Sequence, residues 1–398
     1  MSDLQHPAIT AQQQRERATR VVIVGAGLLG GSLLAALQSR RTHRSGALHL
    51  AAVTSAATRD ALLALGWCDA VYEHAAIAEA CTGADLILLC TPLLTIRIQL
   101  DAIAAHRHRL APDAIVSDVG STKGAICAHG FTAFPDDAPQ TPRFVGGHPM
   151  AGSERSGLAA ADPLLYQSAL WVLCPPTGLD PARLATLQNI VHDVGARTAI
   201  IDPITHDAAV ARISHIPQLV SSTLAGWAGN DDRLAETALT LAAGGFRDMT
   251  RLALSSFEVW RDVVATNRAP IADGLHEIAT LLSSLATSLR AEPDGARHDD
   301  ALAQSFAAGH AFRQRFHMPR KGIQHDLSEF VVRLDDRPSQ LLALLTPLAA
   351  ADINVQDLEI LKVREGECGT VLMGFSTPND ARCAHDILIA AGFQLFER

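Results

Sequence analysis

What this 398-residue chain lacks narrows it first. It has no basic excess. The formal net charge is −9, so no diffuse attraction to a nucleic-acid backbone is expected, and an anionic ligand must be held by local arginines. It has no C-x-x-C pair. Its seven cysteines, Cys68, Cys81, Cys90, Cys127, Cys174, Cys368 and Cys383, are odd in number, which argues against a zinc site or a disulfide framework and for reduced, cytosolic thiols. Residues 1–20 are polar and contain no apolar h-region, so no secretory signal is read there and a cytoplasmic protein is expected. Residues 21–37 are about a membrane span in length but carry four glycines in fingerprint spacing. They read instead as a buried strand, a turn and a helix start, and no membrane association is expected.

What is present suits a compact globular chain of roughly two or three domains. Hydrophobic residues make up 48% and charged residues 19%. The aliphatic run 21–24 reads as a strand covered on both faces, and it is followed by a glycine turn and a helix-like stretch over 32–40. Further strands are expected at 48–53, 85–90, 114–118, 170–174 and 198–201, with a helix at 60–65. This alternation predicts an α/β fold, a Rossmann-like doubly wound, mostly parallel sheet. After Pro203 the chain becomes Ala/Leu-rich with helical periodicity, and an all-helical domain follows, kinked near Pro217. Residues 291–299 read as a loop and the rest of 291–326 as a short helix plus linker. Strands at 327–334, 354–364 and 370–376, with helices at 338–350 and 381–391, give a small α+β module. The expected division is a flexible N-terminus at 1–19, a dinucleotide-binding domain at 20–203, a helical domain at 204–290, the linker at 291–326 and the α+β domain at 327–398.

Gly25-Ala26-Gly27-Leu28-Leu29-Gly30 follows a strand and opens a helix, the context in which such a motif binds a dinucleotide. Gly25 permits the tight turn, Gly27 admits the pyrophosphate, and Gly30 allows close helix–strand packing, with the phosphate charge at the helix amino end. The plainer reading is a glycine turn in a sheet that binds nothing. The acidic residue expected at the end of strand two is missing, and Thr54, Ser55 and Arg59 stand in that stretch. A carboxylate there would reject a 2′-phosphate; these residues do not, so NAD and NADP both stay open. Arg59 is equally readable as a solvated helix residue. Thr91, Pro92 and Gly120, which end two other strands, border the same crevice.

The chemistry is expected from Gly147-His148-Pro149-Met150-Ala151-Gly152-Ser153-Glu154, a loop by composition. A histidine in such a loop can take a hydroxyl proton as hydride leaves. Ser121, in the turn after the 114–118 strand, can bond that hydroxyl or His148. Arg247 and Arg251 are four residues apart and share a helix face, an arrangement that suits a dicarboxylate. Asp248 and Glu258 offer the plainer alternative of surface ion pairs. Trp260 is an apolar wall or plain core. His206 and His215, nine residues apart, fall on opposite faces of a regular helix and are not read as a metal pair; no metal site is expected.

With these residues in place, the chain resembles bacterial prephenate dehydrogenases. The resemblance rests on Gly25–Ser32, Ser117–Lys123, Gly147–Glu154, Ile213-Ser-His-Ile-Pro217 and Phe246–Arg251 with Trp260. The tail from Ser328 resembles an ACT domain. The resemblance implies oxidative decarboxylation of prephenate to 4-hydroxyphenylpyruvate with NAD or NADP. In it His148 takes the 4-hydroxyl proton and Arg251 holds a carboxylate. Ser121, Ser153, Glu154 and His215 line the site, and the helical domain forms a homodimer. It also implies tyrosine as an effector, at the ACT-like domain or the active site. Gln218 stands where many relatives have a second histidine, which leaves arogenate open as the substrate. Ser339 replaces the glycine of the usual ACT turn, which weakens the case for effector binding. Two other readings compete. A β-hydroxyacid dehydrogenase would use a helix lysine, and 205–290 contains none. An amino-acid sensor without catalysis would not need both His148 and Arg251.

Overall fold

The computed structural model describes residues 18–41, 47–135, 141–153, 155–290, 297–315, 327–335, 337–364 and 368–397. The chain divides into two units, Met1–Ala308 and Gly309–Arg398. Among the described residues no helix is long and apolar enough to cross a membrane.

The first unit is built on eight strands: β1 (Thr19–Val24), β2 (Leu48–Thr54), β3 (Ala70–Glu73), β4 (Leu86–Leu89), β5 (Ile115–Asp118), β6 (Arg143–Pro149), β7 (Leu170–Cys174) and β8 (Arg197–Ile200). They form one sheet in the order β3-β2-β1-β4-β5-β6-β7-β8. All neighbours are parallel except β6 and β7. Strand side chains alternate between faces, so a central strand must be apolar at every position. The two cores show this directly. Val21, Ile23, Leu50 and Leu88 pack on one side with α1 (Leu28–Arg40), α2 (Ala56–Leu65) and α5 (Pro181–Asp193). Val22, Val24, Val53 and Leu89 pack on the other with α3 (Leu93–Ala104) and α4 (Gly124–Ala133).

Two strands of the first unit escape the sequence reading, β3 and β6. The second matters more, because it carries His148, which composition places in a loop. β6 pairs in parallel with β5 at Arg143–Val145, then antiparallel with β7 from Gly146 to Pro149, with His148 opposite Val172. Gly146 and Gly147 mark close packing there, not a turn. A Cβ at Gly146 would lie 2.4 Å from Cys127 Sγ, and one at Gly147 would lie 2.4 Å from the Asp118 carbonyl oxygen.

The helical region runs through α6 (Pro203–Val210), a π turn (Ala211–His215), α7 (Ile216–Ala228), α8 (Asp232–Leu241), α9 (Gly244–Thr250), α10 (Phe257–Thr266), α11 (Arg268–Arg290) and α12 (Arg297–Arg315). Asp202 caps α6 by accepting from the Ile204 and Thr205 amides. Pro217 has no N–H for the carbonyl four residues back, and the distortion expected there takes the form of the π turn just before it. α12 starts inside the stretch read as loop and, at 19 residues, is longer than the short helix expected.

The second unit has the order β9 (Ser328–Asp335), α13 (Gln340–Ala350), β10 (Asp357–Arg364), β11 (Cys368–Phe375), α14 (Pro378–Ala390) and β12 (Gln394–Glu397). Its antiparallel sheet, β10-β11-β9-β12, gives the ferredoxin-like arrangement. β12 is a strand the sequence reading lacks. Phe330, Val332, Met373 and Phe375 pack against Leu344, Leu348 and Leu388 of the two helices. Ser339 holds the left-handed conformation, φ 68°, that glycine takes without strain, so the turn keeps a glycine-like shape without the glycine.

Candidate active site

The strand order reverses between β1 and β4, which opens a crevice at their carboxyl ends. Gly25 sits there at φ +97°, and a Cβ on it would lie 2.7 Å from Thr91 Cγ2 and 2.8 Å from the Cys90 carbonyl oxygen. A Cβ on Gly30 would sit 1.8 Å from the Gly25 carbonyl oxygen. Gly27, the N-cap of α1, is different: nothing lies within 4 Å of its missing Cβ, and no side chain caps the helix. The uncapped amides and the open space at Gly27 fit a dinucleotide pyrophosphate. The first turn of α1 is held from behind. Tyr166 donates to the Leu29 carbonyl (2.8 Å) and Ser32 Oγ accepts from the Asp162 amide (2.9 Å). Leu28 and Leu29 pack against the core.

The other residues expected at the crevice are placed as follows. Thr91 donates to Gln99 Oε1 at 2.7 Å, and Pro92 is the N-cap of α3. The Gly120 amide donates to Asp118 Oδ2 at 2.8 Å, and a Cβ there would meet Leu93 Cδ2 at 2.5 Å. Thr54 is buried, whereas Ser55 and Arg59 are exposed, with Ser55 Oγ 3.2 Å from Thr58 Oγ1.

The candidate chemical centre is the cluster around His148. Just before it, Lys123 and Asp118 form a fully buried ion pair. Lys123 Nζ also donates to the Gly147 carbonyl (2.7 Å), and the Gly147 amide donates to Asp118 Oδ1 (3.0 Å). The N–H and the C=O of one residue, in successive peptides, are thus both held, and the strand is fixed one residue before the imidazole. His148 Nδ1 lies 2.8 Å from His206 Nε2, and His206 Nδ1 lies 2.8 Å from Asp207 Oδ1. Asp207 in turn accepts from the Lys123 amide (2.6 Å) and the Gly124 amide (2.7 Å), so it caps α4 from another helix. Asn267 donates to the Asp207 carbonyl (2.9 Å) and its Nδ2 lies 3.1 Å from His215 Nδ1. The His215 ring stands edge-on to Trp260, with centroids 5.9 Å apart.

Burial, reinforced by the Lys123 cation and the two neighbouring histidines, holds His148 well below the ordinary histidine value. It is therefore neutral at pH 7 and able to accept a proton. Burial pushes His215 down to about 4 against the opposing pull of Asp207.

Other expected residues are placed less centrally. Ser121 is half-buried, and among the described residues its hydroxyl has no hydrogen-bond partner; His148 Nδ1 is already taken by His206. Arg247, in α9, and Arg251, directly after it, are exposed. The surface ion pairs that would have explained them are not formed among the described residues, where Glu258 pairs with Arg261 instead. Gln218 is buried and gives its amide nitrogen to the Leu252 carbonyl at 2.7 Å, which ties the turn after Arg251 to α7. Trp260 is half-buried against the sheet core as well as His215. Ser153 is exposed and accepts from the Arg155 amide at 3.2 Å; Glu154 lies outside the described residues.

Sequence reasoning missed Asp118, Lys123, His206, Asp207 and Asn267 as members of this cluster. The opposite-face argument for His206 and His215 is overturned. Nine residues of regular helix turn through about 180°, but a π turn absorbs one residue, and about 80° remains. Both rings therefore reach the His148 cluster. The visible signal was the Pro inside a helical pattern, which marked the distortion but not its form.

Residues 35–200 match the family model for the prephenate dehydrogenase nucleotide-binding domain, and residues 202–308 match that for the prephenate dehydrogenase dimerization domain. Over 372 residues the chain is 28% identical to prephenate dehydrogenase of Bacillus subtilis (strain 168), covering 93% of this chain and 95% of that protein. The structure of Synechocystis arogenate dehydrogenase is similar with a TM-score of 0.63 at 27% identity, covering 75% of this chain and 100% of that one. Prephenate dehydrogenase from A. aeolicus, solved in complex with hydroxyphenyl propionate and NAD+, shares the fold with a TM-score of 0.60 at 24% identity, covering 76% and 99%. The first match begins inside α1, so the glycine turn before it rests on its own geometry. With both domains matched in order, the chain belongs to the prephenate dehydrogenase family.

Proposed function

We propose that the protein oxidatively decarboxylates prephenate to 4-hydroxyphenylpyruvate with NAD or NADP. The observation that carries this is a neutral, half-buried His148 locked into β6 of the same sheet whose β1–α1 turn forms an open dinucleotide cradle. The nicotinamide, when bound, supplies the acceptor for the C4 hydride. His148 takes the 4-hydroxyl proton as that hydride leaves, and Ser121 offers the same hydroxyl a hydrogen bond. The bond from the ring to its carboxylate then breaks. Its electron pair flows through the ring onto the 4-oxygen, which recovers a proton as the phenol, and carbon dioxide leaves. Arg251, seconded by Arg247, holds substrate carboxylate through bidentate bonds. His215 and Trp260 form the wall of the site, and Ser153 its rim.

Arogenate is the competing substrate, favoured by Gln218 at the selectivity position and by the likeness to an arogenate dehydrogenase. A homodimer through the helical domain is supported by the apolar side chains it leaves bare: Trp227 (74% exposed), Leu239 (70%) and Leu254 (91%). The matched segment's description as a dimerization domain supports the same reading. The second unit is assigned as an ACT-like regulatory domain on its βαββαβ order, with tyrosine as the effector to test. Free thiols at Cys81, Cys127 and Cys174 fit a reducing, cytosolic setting.

The test is absorbance at about 340 nm, the reduced-nicotinamide band, with prephenate or arogenate crossed against NAD+ or NADP+, with and without tyrosine. Turnover in one cell of that grid supports the reaction and ranks substrate and cofactor. Silence in every cell from folded protein rejects it in favour of an amino-acid sensor.

A further inference from the structure

The centre of the site holds two coupled histidines, and their hydrogen-bond order determines which nitrogen can do the chemistry. Asp207 is buried and already accepts two backbone amides at the start of α4. A carboxylate has no proton to give, so His206 Nδ1, 2.8 Å away, is the donor in that contact. A neutral His206 then presents only a lone pair at Nε2. The 2.8 Å contact with His148 Nδ1 must therefore be made by a proton on His148 Nδ1. This leaves His148 Nε2 bare. The two rings cross at 72°, with centroids 5.0 Å apart.

We infer that His206 and Asp207 are positioning residues that hold His148 as its Nδ1–H tautomer, so that Nε2 is the atom that takes the substrate's hydroxyl proton. The assignment of Nε2 as proton acceptor rests on the proposed dehydrogenase reading; the tautomer does not. In the forward step the hydroxyl O–H bond breaks and its proton forms a bond to Nε2. The imidazolium keeps its Nδ1–H directed at His206, and part of the positive charge is balanced through His206 by Asp207. The charged and titratable groups facing His148 are Lys123 at the start of α4, His206 from α6 and His215 from the π turn, with Asp118 on β5 paired to Lys123. Asp207 is the carboxylate that His148 reaches through hydrogen bonds. A purely structural role, with Asp207 capping α4 and His206 filling space, would not require either ring to hold one tautomer.

The experiment is long-range 1H–15N correlation of the imidazole rings in full-length protein labelled with 15N-histidine, with His148 assigned by its disappearance in His148→Asn. The expected result at pH 7.5 is a protonated Nδ1 and an unprotonated Nε2 on both His148 and His206. A proton on His148 Nε2, or a fully protonated His206, overturns the inference. Kinetics give the second arm. His206→Leu removes the acceptor and is expected to lower kcat by about 10- to 100-fold with KM changed less than about threefold. His206→Gln, whose amide oxygen can accept from Nδ1–H, is expected to recover much of the loss. A His206→Leu variant with kcat within about twofold of the parent overturns the positioning role. Because the tautomer is read without substrate, an inactive protein with the expected tautomer rejects the dehydrogenase reading alone.

Discussion

Replacing Lys123 by methionine tests how the site is held. Lys123 and Asp118 are both fully buried, and Lys123 Nζ reaches the Asp118 carboxylate and the Gly147 carbonyl. Methionine matches the aliphatic stem but leaves the Asp118 carboxylate in an apolar interior with, among the described residues, only the Gly120 and Gly147 amides as partners. Removing one member of a buried ion pair costs about 3–5 kcal/mol, a large share of a total stability of roughly 5–15 kcal/mol. For a unit of this size, that lowers Tm by roughly 5–8 °C. A second effect is independent of stability. The Lys123 cation is one reason, after burial, that His148 stays neutral. Without it the His148 pKa rises, so the acid limb of kcat/KM moves to higher pH. Thermal unfolding and a pH profile read the two effects separately. The double variant Asp118→Asn/Lys123→Met removes both charges and is expected to regain much of the lost stability. If Lys123→Met unfolds within about 1 kcal/mol of the parent and its acid limb does not move, the clamp and the electrostatic role are both wrong.

Other consequences are equally direct. His148→Asn should lower kcat by about 10²- to 10⁴-fold with KM little changed, and near-normal turnover would remove His148 as proton acceptor. Arg251→Gln should chiefly raise KM for the dicarboxylate; an unchanged KM would move the clamp elsewhere. His215 is held at about 4, below the roughly 6.5 of an unfolded histidine, so below pH 6.5 the unfolded chain takes up a proton that the folded one refuses. Its contribution is whole above pH ~6.5 and falls by about 3 kcal/mol on the way to pH 4, and urea melts of His215→Gln should show a shallower decline over that window. Ser339→Gly should raise the stability of the second unit by about 1 kcal/mol, since φ 68° strains serine and suits glycine; a lowered urea midpoint would contradict it.

The contrast between β1 and β6 shows what a sequence can reveal. Val21–Val24 is apolar at every position because both faces are covered, and that pattern survives without structural context. β6 is also buried through most of its length, but its tightest stretch is Gly146-Gly147, where neighbouring atoms exclude any side chain. Glycines chosen for backbone approach resemble glycines chosen for a turn, and the strand reads as loop. The site divides in the same way. His148 and the Gly25–Gly30 turn stand out in the sequence because the patterns that mark them are local. His206, Asp207 and Asn267 are joined to the cluster by contacts 52 to 84 residues apart in sequence, and a π turn puts His206 and His215 on one side of their helix. No periodicity in one segment encodes such contacts.

The proposed role of His148 as proton acceptor sets two requirements on it that pull against each other. A proton acceptor must be unprotonated at working pH, and burial beside Lys123 secures that. The same burial and the same cation oppose the imidazolium that forms when the proton arrives, so the neutral form is gained at the expense of base strength. Lys123 cannot simply be removed, because it also holds the Gly147 peptide that orients the ring. The carboxylate tied into His148's hydrogen-bond chain is Asp207. Asp207 is linked to His148 through His206, and it is fixed by the Lys123 and Gly124 amides at the amino end of α4. One short segment, 118–124, thus supplies the cation that, after burial, helps keep His148 neutral and the backbone donors that anchor Asp207. A shift of that segment alters both terms together. Changes at the start of α4 should therefore affect turnover out of proportion to their distance from the substrate.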